Sequence, residues 1–217
     1  MRNSGLELDH IGLWCSDVEA GARLFSNVTS IETEDGGSHA GQGTCNRLVG
    51  AENGQYVELI GRDPKQNVEG AIIQQVGSQH SLTSCLLAYR TSDLESLNAT
   101  VLHLGGRSAG VQSMQRAGAD GLAISWRLLF ISHPDHPILP FFIDWGSAPH
   151  PSTRLAPAVE VCDPTFLSKS PDALHNFLTK LGVSASVTQA PEHDLHLSVK
   201  AGGQTFLASK QRGLSRI

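Results

Sequence analysis

The chain has 217 residues, of which 40% are hydrophobic and 17% charged, with a formal net charge of −5. This composition is that of a folded globular protein, long enough for one large domain or a pair of small modules. The mild negative charge and the scattered Lys and Arg residues speak against a nucleic-acid partner. The sequence contains no run of about 18 apolar residues, so no membrane span is predicted.

The first 20 residues contain four acidic side chains and no apolar core, so no signal peptide is predicted. The four cysteines are far apart, and each lies in an apolar, strand-like run: Cys15, Cys45, Cys85 and Cys162. Without a secretion signal, this pattern favours buried thiols over disulfides. A cytoplasmic location is therefore expected.

Two four-residue units, "SDVE" at 16–19 and "SDLE" at 92–95, each follow an apolar strand-like run. Each predicts a helix that begins with a capping box, in which Ser16 or Ser92 satisfies free N–H groups. Strands are predicted after the first helix at 43–51 and 55–61, and after the second at 107–114, 122–131 and 138–146. A unit of one strand, one helix and about three strands therefore occurs twice, in module 1 (about 6–62) and module 2 (about 81–146).

A third, degenerate copy of this unit is predicted in the last part of the chain. A strand at 155–163 precedes a helix with Ser170 as N-cap, Pro171 in its first position and Gly182 after its end. Strands follow at 184–190, 193–201 and 203–209. We therefore expect a two-module domain over residues 1–150, with a third βαβββ-like module over 151–217 packed on it.

The predicted fold class is α+β, with paired βαβββ modules that form a curved mixed sheet around a cleft. Such a cleft is the default place for a ligand. We also expect two histidines, His133 and His136, to be exposed in a hairpin loop between strands.

Several stretches resemble a known group of proteins. The segment "DHIG" at 9–12 opens module 1, and the stretches at 39–64, 126–130 and 139–152 carry further similarity. Paired modules that open in this way resemble the vicinal oxygen chelate superfamily, which includes glyoxalase I, extradiol dioxygenases and bleomycin-resistance proteins. The similarity is closest to its glyoxalase-like domain subfamily.

The resemblance implies that metal ligands come from the first and last strand of each module. In module 1 these positions are His10 and Glu58, which suit a divalent metal such as Zn, Mn, Ni or Fe. His39, in a predicted glycine-rich loop, is a candidate third ligand or general base. The alternative interpretation is that His10 is a buried, hydrogen-bonded histidine and Glu58 an edge carboxylate.

Module 2 lacks matching ligands. When "SDLE" is aligned on "SDVE", Leu86 is the residue of module 2 that corresponds to His10. When Gly146 is aligned on Gly61, Ile143 corresponds to Glu58. Asp144 is one residue away and therefore on the other face, unless a bulge turns it inward. The incomplete metal site favours proton-transfer chemistry over dioxygen chemistry.

Four further residues are candidate substrate contacts, together with Asp144: Asn46, Arg127, Trp126 and Trp145. Asn46 would orient a carbonyl or carboxylate on the inner face. Arg127 lies among apolar strand residues and would bind a substrate carboxylate or form a structural bridge to Glu58 or Asp144. The tryptophans are either core residues or a ligand platform.

Two hypotheses follow. In the first, the protein is an enzyme that acts on a small molecule with carbonyl or carboxylate groups, by isomerase- or lyase-type proton transfer, with or without a divalent metal. Ring-opening oxygenation is the less favoured chemistry. In the second, the same cleft sequesters a small aromatic or drug-like molecule without chemistry, as resistance proteins of this fold do. The expected partner is a small molecule, and the resemblance leaves a homodimer open.

Overall fold

A computed structural model describes residues 5–68, 70, 73–74, 81–117 and 123–217. The α-helices of this part of the chain are α1 (Val18–Thr29), α2 (Leu94–His103) and α3 (Pro171–Leu181). The strands are β1 (Glu7–Cys15), β2 (Glu34–His39), β3 (Thr44–Ala51), β4 (Tyr56–Arg62), β5 (Thr83–Arg90), β6 (Arg107–Ser108), β7 (Gln112–Ala117), β8 (Ala123–Leu129), β9 (Ile131–Ser132), β10 (Phe141–Asp144), β11 (Pro157–Val161), β12 (Thr165–Ser168), β13 (Ser186–Gln189), β14 (Asp194–Ala201), β15 (Gln204–Ala208) and β16 (Ser215–Arg216).

Eight of these strands form a continuous part of the mixed sheet, in the order β2-β3-β4-β1-β5-β10-β8-β7. In each half the opening strand lies parallel to the closing strand, β1 beside β4 and β5 beside β10. The two opening strands, β1 and β5, pair antiparallel and join the halves. The edge strands β2 and β7 approach each other, so the sheet curls around one of its faces. The predicted α+β class with a curved mixed sheet is confirmed.

Strand alternation assigns every second residue of β1 to the helix-covered face of the sheet. Ile11 and Leu13 pack there in the main core with Phe25 of α1 and Leu97 of α2. His10, Gly12 and Trp14 lie on the opposite, concave face. The concave face is therefore the place where polar residues of the opening strands can meet a ligand.

Strand β2 of the first unit was not predicted. Its sequence "EDGGSH" contains two glycines and no alternating apolar pattern, so it resembles a loop. Backbone pairing with β3, from Glu34↔Leu48 to His39↔Thr44, forms the strand nonetheless. His39 is thus held at a strand end and does not lie in the flexible loop that we predicted.

The helix starts also differ from the prediction by one residue. The N-caps are Asp17 and Asp93, whose carboxylates accept hydrogen bonds from the backbone N–H groups of Ala20 and Ser96 at 2.8 and 3.0 Å. Ser16 and Ser92 lie just before these caps. Asp is as good an N-cap as Ser, and here its carboxylate reaches the amide three residues on.

The C-terminal part of the chain extends the sheet, because β11 pairs with β3 and β14 pairs with β11, β12 and β15. Helix α3 begins at Pro171 and ends before Gly182, as predicted. The strand order differs from that of the first two units. The strand before α3, β12, was not predicted, and it lies beside the strand directly after the helix, β13. The division of the chain near residue 150 stays a prediction.

Two histidines that we expected to be exposed help to join this C-terminal part to the rest. His133 and His136 stack with ring centroids 4.6 Å apart, and both rings contact Phe177 of α3. His136 is buried, and its Nδ1 has no hydrogen-bond partner among the described residues. The Phe177 ring thus packs against the two histidine rings, whereas Asp135 between them stays exposed.

All four cysteines are free thiols. We predicted them to be buried, but only Cys15 is fully buried, and Cys45, Cys85 and Cys162 are partly buried. Within the described residues, no helix combines the length and the apolar character needed to cross a bilayer.

Candidate functional site

The candidate site begins with an irregularity in β1. The pairing of β1 with β5 shifts register between Leu8 and His10, so that Asp9 has no partner in β5. In a regular strand Asp9 and His10 would point to opposite faces, whereas a bulge can re-aim a side chain. Here the two side chains meet, with His10 Nδ1 2.5 Å from Asp9 Oδ1.

His10 is 3% exposed and held from several sides. Its ring stacks on Tyr56 at a centroid distance of 4.4 Å and contacts the ring of Phe141 edge-on. Because an ionised carboxylate only accepts hydrogen bonds, Nδ1 of His10 carries the proton that Asp9 binds. The other ring nitrogen, Nε2, then faces Glu58, whose Oε2 is 3.7 Å away.

Asp9 is fully buried, and its carboxylate has two further donors. Oδ2 lies 3.1 Å from the indole Nε1 of Trp145 and 2.9 Å from Nε2 of His150. Burial alone would raise the pKa of Asp9, but the hydrogen bonds and charges of His10 and His150 outweigh it and hold that pKa far below its usual range. Asp9 is therefore a buried, ionised carboxylate.

Glu58 lies on β4 and is 6% exposed. It pairs with Gly12 of β1 on one side and with Leu48 of β3 on the other. Its Oε1 accepts a hydrogen bond from the Asn46 amide at 2.5 Å. On the concave face Leu86 of β5 packs against Gly12, so closely that a Cβ added to Gly12 would lie 2.6 Å from the Cβ of Leu86.

His39 completes the polar group. Its Nε2 lies 3.2 Å from the Asn46 amide nitrogen and 3.7 Å from Glu58 Oε1, and its Nδ1 lies 2.9 Å from Thr44 Oγ1. Because the amide nitrogen of Asn46 donates, Nε2 of His39 accepts and Nδ1 carries the proton. The structure thus brings together His10, Glu58, His39 and Asn46.

The matching half of the site, on module 2, is apolar. In the antiparallel pair of β1 and β5, His10 lies opposite Ala88 and Gly12 lies opposite Leu86. When the two halves are exchanged, Gly12 corresponds to Ala88, and His10 therefore corresponds to Leu86. The position that matches Glu58 is Phe141, which pairs with Ala88 as Glu58 pairs with Gly12. We had placed Ile143 there. The difference arises because β10 ends at Asp144, two residues before the glycine used for the alignment.

Arg127 and Asp144 lie on the helix-covered side of the sheet. They face each other across β8 and β10 and form an ion pair at 2.6 Å, which Glu95 of α2 extends. The hydrogen bonds that Arg127 donates to Asp144 and Glu95 raise the pKa of Arg127, and the bond to Asp144 has the larger effect. These two candidate substrate contacts thus form a structural bridge away from the concave face.

Trp126 and Trp145 are half-buried on the concave side, with ring centroids 5.7 Å apart. Both pack against the apolar cluster of Ala88, Leu128, Phe141 and Ile143. Trp145 also reaches the polar half through Asp9. The two tryptophans therefore border the site and form part of its apolar wall.

The predicted metal ligands, His10, Glu58 and His39, are not arranged to hold a cation. His10 Nε2 and His39 Nε2 face different oxygens of Glu58, but the donor amide of Asn46 is bonded to both Glu58 and His39. The N–H groups of the Asn46 amide carry partial positive charge, so they disfavour a cation between Glu58 and His39. Over the described ranges, no group of three or more His, Cys, Asp or Glu side chains is placed to hold a metal ion. His10, Glu58 and His39 in this arrangement do not form the expected three-ligand set.

Two surface grooves, of about 550 and 400 Å³, lie away from these residues. The larger is lined by Leu8, Tyr89 and Lys200, among others, and the smaller by the start of α1 and by Asp63. The polar groups described above are instead enclosed by the curled sheet.

Sequence analysis missed two parts of the site. Asp9 directly precedes His10, and strand alternation would place its side chain on the other face. His150 lies in the Pro- and Ser-rich segment that follows β10. A Pro-His-Pro segment carries no signal for a buried carboxylate that lies 141 residues away.

The curled eight-stranded sheet, built from two units that each place the opening strand beside the closing strand, defines the vicinal oxygen chelate fold. The sequence profile of the glyoxalase-like domain family matches residues 8–182, and the chain belongs to that family. The predicted resemblance is confirmed.

One solved structure shows the same fold. A hypothetical protein from Staphylococcus aureus superposes with a TM-score of 0.66 at 18% identity, over 97% of this chain and 88% of that chain. Methylmalonyl-CoA epimerase from Streptomyces coelicolor, in complex with 2-nitronate-propionyl-CoA, has a TM-score of 0.48 at 20% identity, over 67% and 98%. The epimerase from Mycobacterium tuberculosis has a TM-score of 0.46 at 19% identity, over 66% and 91%. No curated protein sequence matches this chain.

Proposed function

We propose that the protein is an enzyme that transfers a proton on a small molecule bearing a carbonyl or carboxylate group, bound at the concave face. One observation carries the proposal. His10 lies between two carboxylates, with Nδ1 bonded to Asp9 and Nε2 directed at Glu58. A histidine oriented in this way by a buried carboxylate is the usual arrangement of a general base.

In this proposal Nε2 of His10 removes a proton from a carbon next to the substrate carbonyl. The electron pair of the C–H bond moves to the carbonyl oxygen, and the imidazolium lies between the carboxylates of Asp9 and Glu58. His10 then returns the proton to a neighbouring carbon or to the carbonyl oxygen, which gives an isomerase-type outcome, or donates it to a leaving group whose bond to the adjacent carbon breaks, which gives a lyase-type outcome. Asn46 is the donor placed to bond a substrate oxygen, in exchange for its bond to Glu58 or His39.

The substrate features follow from the two halves of the site. Oxygen atoms would lie near Asn46 and Glu58. An apolar or aromatic portion would lie against Leu86, Phe141 and Trp126 on the other half. Water is poorly admitted to the polar half, because His10 and Glu58 are nearly buried. The predicted substrate roles of Arg127 and Asp144 are not part of this proposal.

The test is proton exchange in D₂O. A panel of small hydroxy ketones, dicarbonyls and 2-oxo acids is incubated with the protein, and ¹H NMR follows loss of the C–H signal next to the carbonyl. We expect exchange that falls by about 100-fold or more in His10→Gln and Glu58→Gln. The exposed residues His175 and Glu192 provide the matched controls His175→Gln and Glu192→Gln. Exchange at wild-type rates in folded His10→Gln would contradict the proposal.

The apolar second half also supports a different function, the sequestration of a small aromatic molecule. The same samples distinguish the two. A compound that raises the melting temperature but exchanges no proton would favour sequestration. Metal analysis of the purified protein, with exchange measured before and after chelation, tests for a divalent metal independently.

A further inference from the structure

The buried carboxylate of Asp9 is shared by donors from two distant parts of the chain. Oδ1 accepts from His10, whereas Oδ2 accepts from Trp145 and His150. The latter two residues follow β10 and belong to the segment that leads into the C-terminal part. The polar half-site around His10 is thus completed by residues that follow β10.

The contacts of His150 also determine which of its two ring nitrogens carries the proton. The backbone N–H of Ser152 donates to His150 Nδ1 at 3.2 Å, so this nitrogen is an acceptor. The Ser152 hydroxyl lies 2.7 Å from the same nitrogen. Nε2 of His150 therefore carries the ring proton and directs it at Asp9. A short 3₁₀ turn, Pro151–Thr153, holds Ser152 in this position.

From these contacts we propose that His150 and Trp145 are positioning residues for His10, which they control through Asp9. With two donors on Oδ2, the carboxylate cannot rotate, and Oδ1 stays directed at Nδ1 of His10. His10 is then held as the Nδ1–H tautomer, with the lone pair of Nε2 facing Glu58. The inference rests on the proposed function, in which that lone pair is the base.

Neither residue needs to touch the substrate for this role. Trp145 contributes its indole N–H to Asp9 and its ring to the apolar wall, so the two contributions can be separated by Trp145→Phe. His150 is 15% exposed at the side chain, and its ring contacts Tyr56 and Trp145 edge-on. Replacement by Gln keeps an N–H donor at nearly the same reach, whereas Ala removes it.

The tautomer of His10 is the direct readout, and it requires no substrate. Long-range ¹H–¹⁵N spectra of the full chain at pH about 9, well above the ordinary histidine pKa of about 6.5, distinguish Nδ1–H from Nε2–H. The signal of His10 is assigned by its absence in His10→Gln. We expect the Nδ1–H form in the wild type, and a mixture of tautomers in the double variant Trp145→Phe/His150→Ala.

Rescue distinguishes positioning from general stability. His150→Gln should keep the Nδ1–H form of His10, whereas His150→Ala should lose part of it. Where a substrate is in hand, kcat should fall about 10- to 100-fold in the double variant, with KM little changed. If the double variant fails to fold, the single variants Trp145→Phe and His150→Ala carry the test.

A folded variant without both donors that keeps His10 wholly as the Nδ1–H tautomer would overturn the inference. So would an equal loss in His150→Gln and His150→Ala. A wild type with the expected tautomer, but no proton exchange on any compound that binds, would overturn the proposed function and leave the positioning role intact.

Discussion

Asp9 and His10 are consecutive in β1, yet their side chains are hydrogen-bonded to each other at 2.5 Å. A regular strand does not permit this contact, because neighbouring side chains point to opposite faces. The shift in pairing with β5 allows it. The orientation of His10, and with it the proposed chemistry, depends on this local irregularity.

The first prediction concerns the charge and the acceptor atoms of Asp9. In Asp9→Asn the amide can donate to His10, so the ring proton moves to Nε2 and the lone pair no longer faces Glu58. We expect a loss of exchange activity of roughly 100-fold or more and a loss of stability of about 1–3 kcal/mol. NMR exchange rates and urea denaturation measure the two effects. Asp172→Asn on the exposed start of α3 is the control, and equal rates for both variants would contradict the role of Asp9.

The second prediction concerns Gly12 in the floor of the site. A Cβ atom added there would lie 2.6 Å from the Cβ of Leu86, so Gly12→Ala should destabilise the protein by about 1–3 kcal/mol. Gly5→Ala is the control, because a Cβ at Gly5 meets nothing within 4 Å. Leu86→Gly removes the clashing atom, and urea denaturation of the double variant should show favourable coupling. Simple additivity would show that the two residues do not clash.

The third prediction concerns Arg127. Because this side chain pairs with Asp144 and Glu95 on the helix-covered side, Arg127→Met should leave proton exchange and ligand affinity unchanged. Titration calorimetry with any compound that binds, together with the NMR assay, provides the measurement. A clear rise in the dissociation constant of an anionic ligand would restore the alternative role of Arg127 as a substrate contact.

The fourth prediction is a pH dependence of stability. Burial lowers the pKa of His136 below its ordinary value of 6.5, with a smaller effect of His133. Asp135 and His193 also face this ring. The unfolded chain therefore binds a proton here before the folded protein does, so stability present above pH 6.5 is lost as the pH falls.

Replacement by an apolar residue should remove this contribution. The decrease in unfolding free energy between neutral and mildly acidic pH should be smaller in His136→Leu than in the wild type, as measured by urea denaturation at several pH values. His175→Leu, on the exposed face of α3, is the control. An unchanged pH dependence in His136→Leu would show that the ring is solvated.

The fifth prediction concerns the thiols. Burial raises the pKa of Cys15 to about 12, and it raises the pKa of Cys85 well above its usual range. Because the thiolate is the reactive form, both should resist a thiol reagent at neutral pH in the folded protein. Cys45 and Cys162 should react first. Mass spectrometry of modified peptides measures the order, and early labelling of Cys15 would contradict its burial.

Much of the fold follows from local features of the sequence. The apolar alternation around Ile11 and Leu13, and the acidic caps before α1 and α2, define the repeated strand–helix units. Pro171 and Gly182 mark the ends of α3. Strand β2 could not be predicted in this way, because two glycines remove the side-chain pattern and only backbone pairing with β3 forms it.

For the site, the resemblance to the vicinal oxygen chelate superfamily indicated that His10 and Glu58 share the cleft face, and the repeat within the chain indicated that the second half is apolar. The partner of His10 required the folded chain. Asp9 turns toward His10 through a register shift, and Trp145 and His150 reach it from 136 and 141 residues away. Sequence spacing carries no information about such contacts, because they are set by how strands pair across the whole sheet.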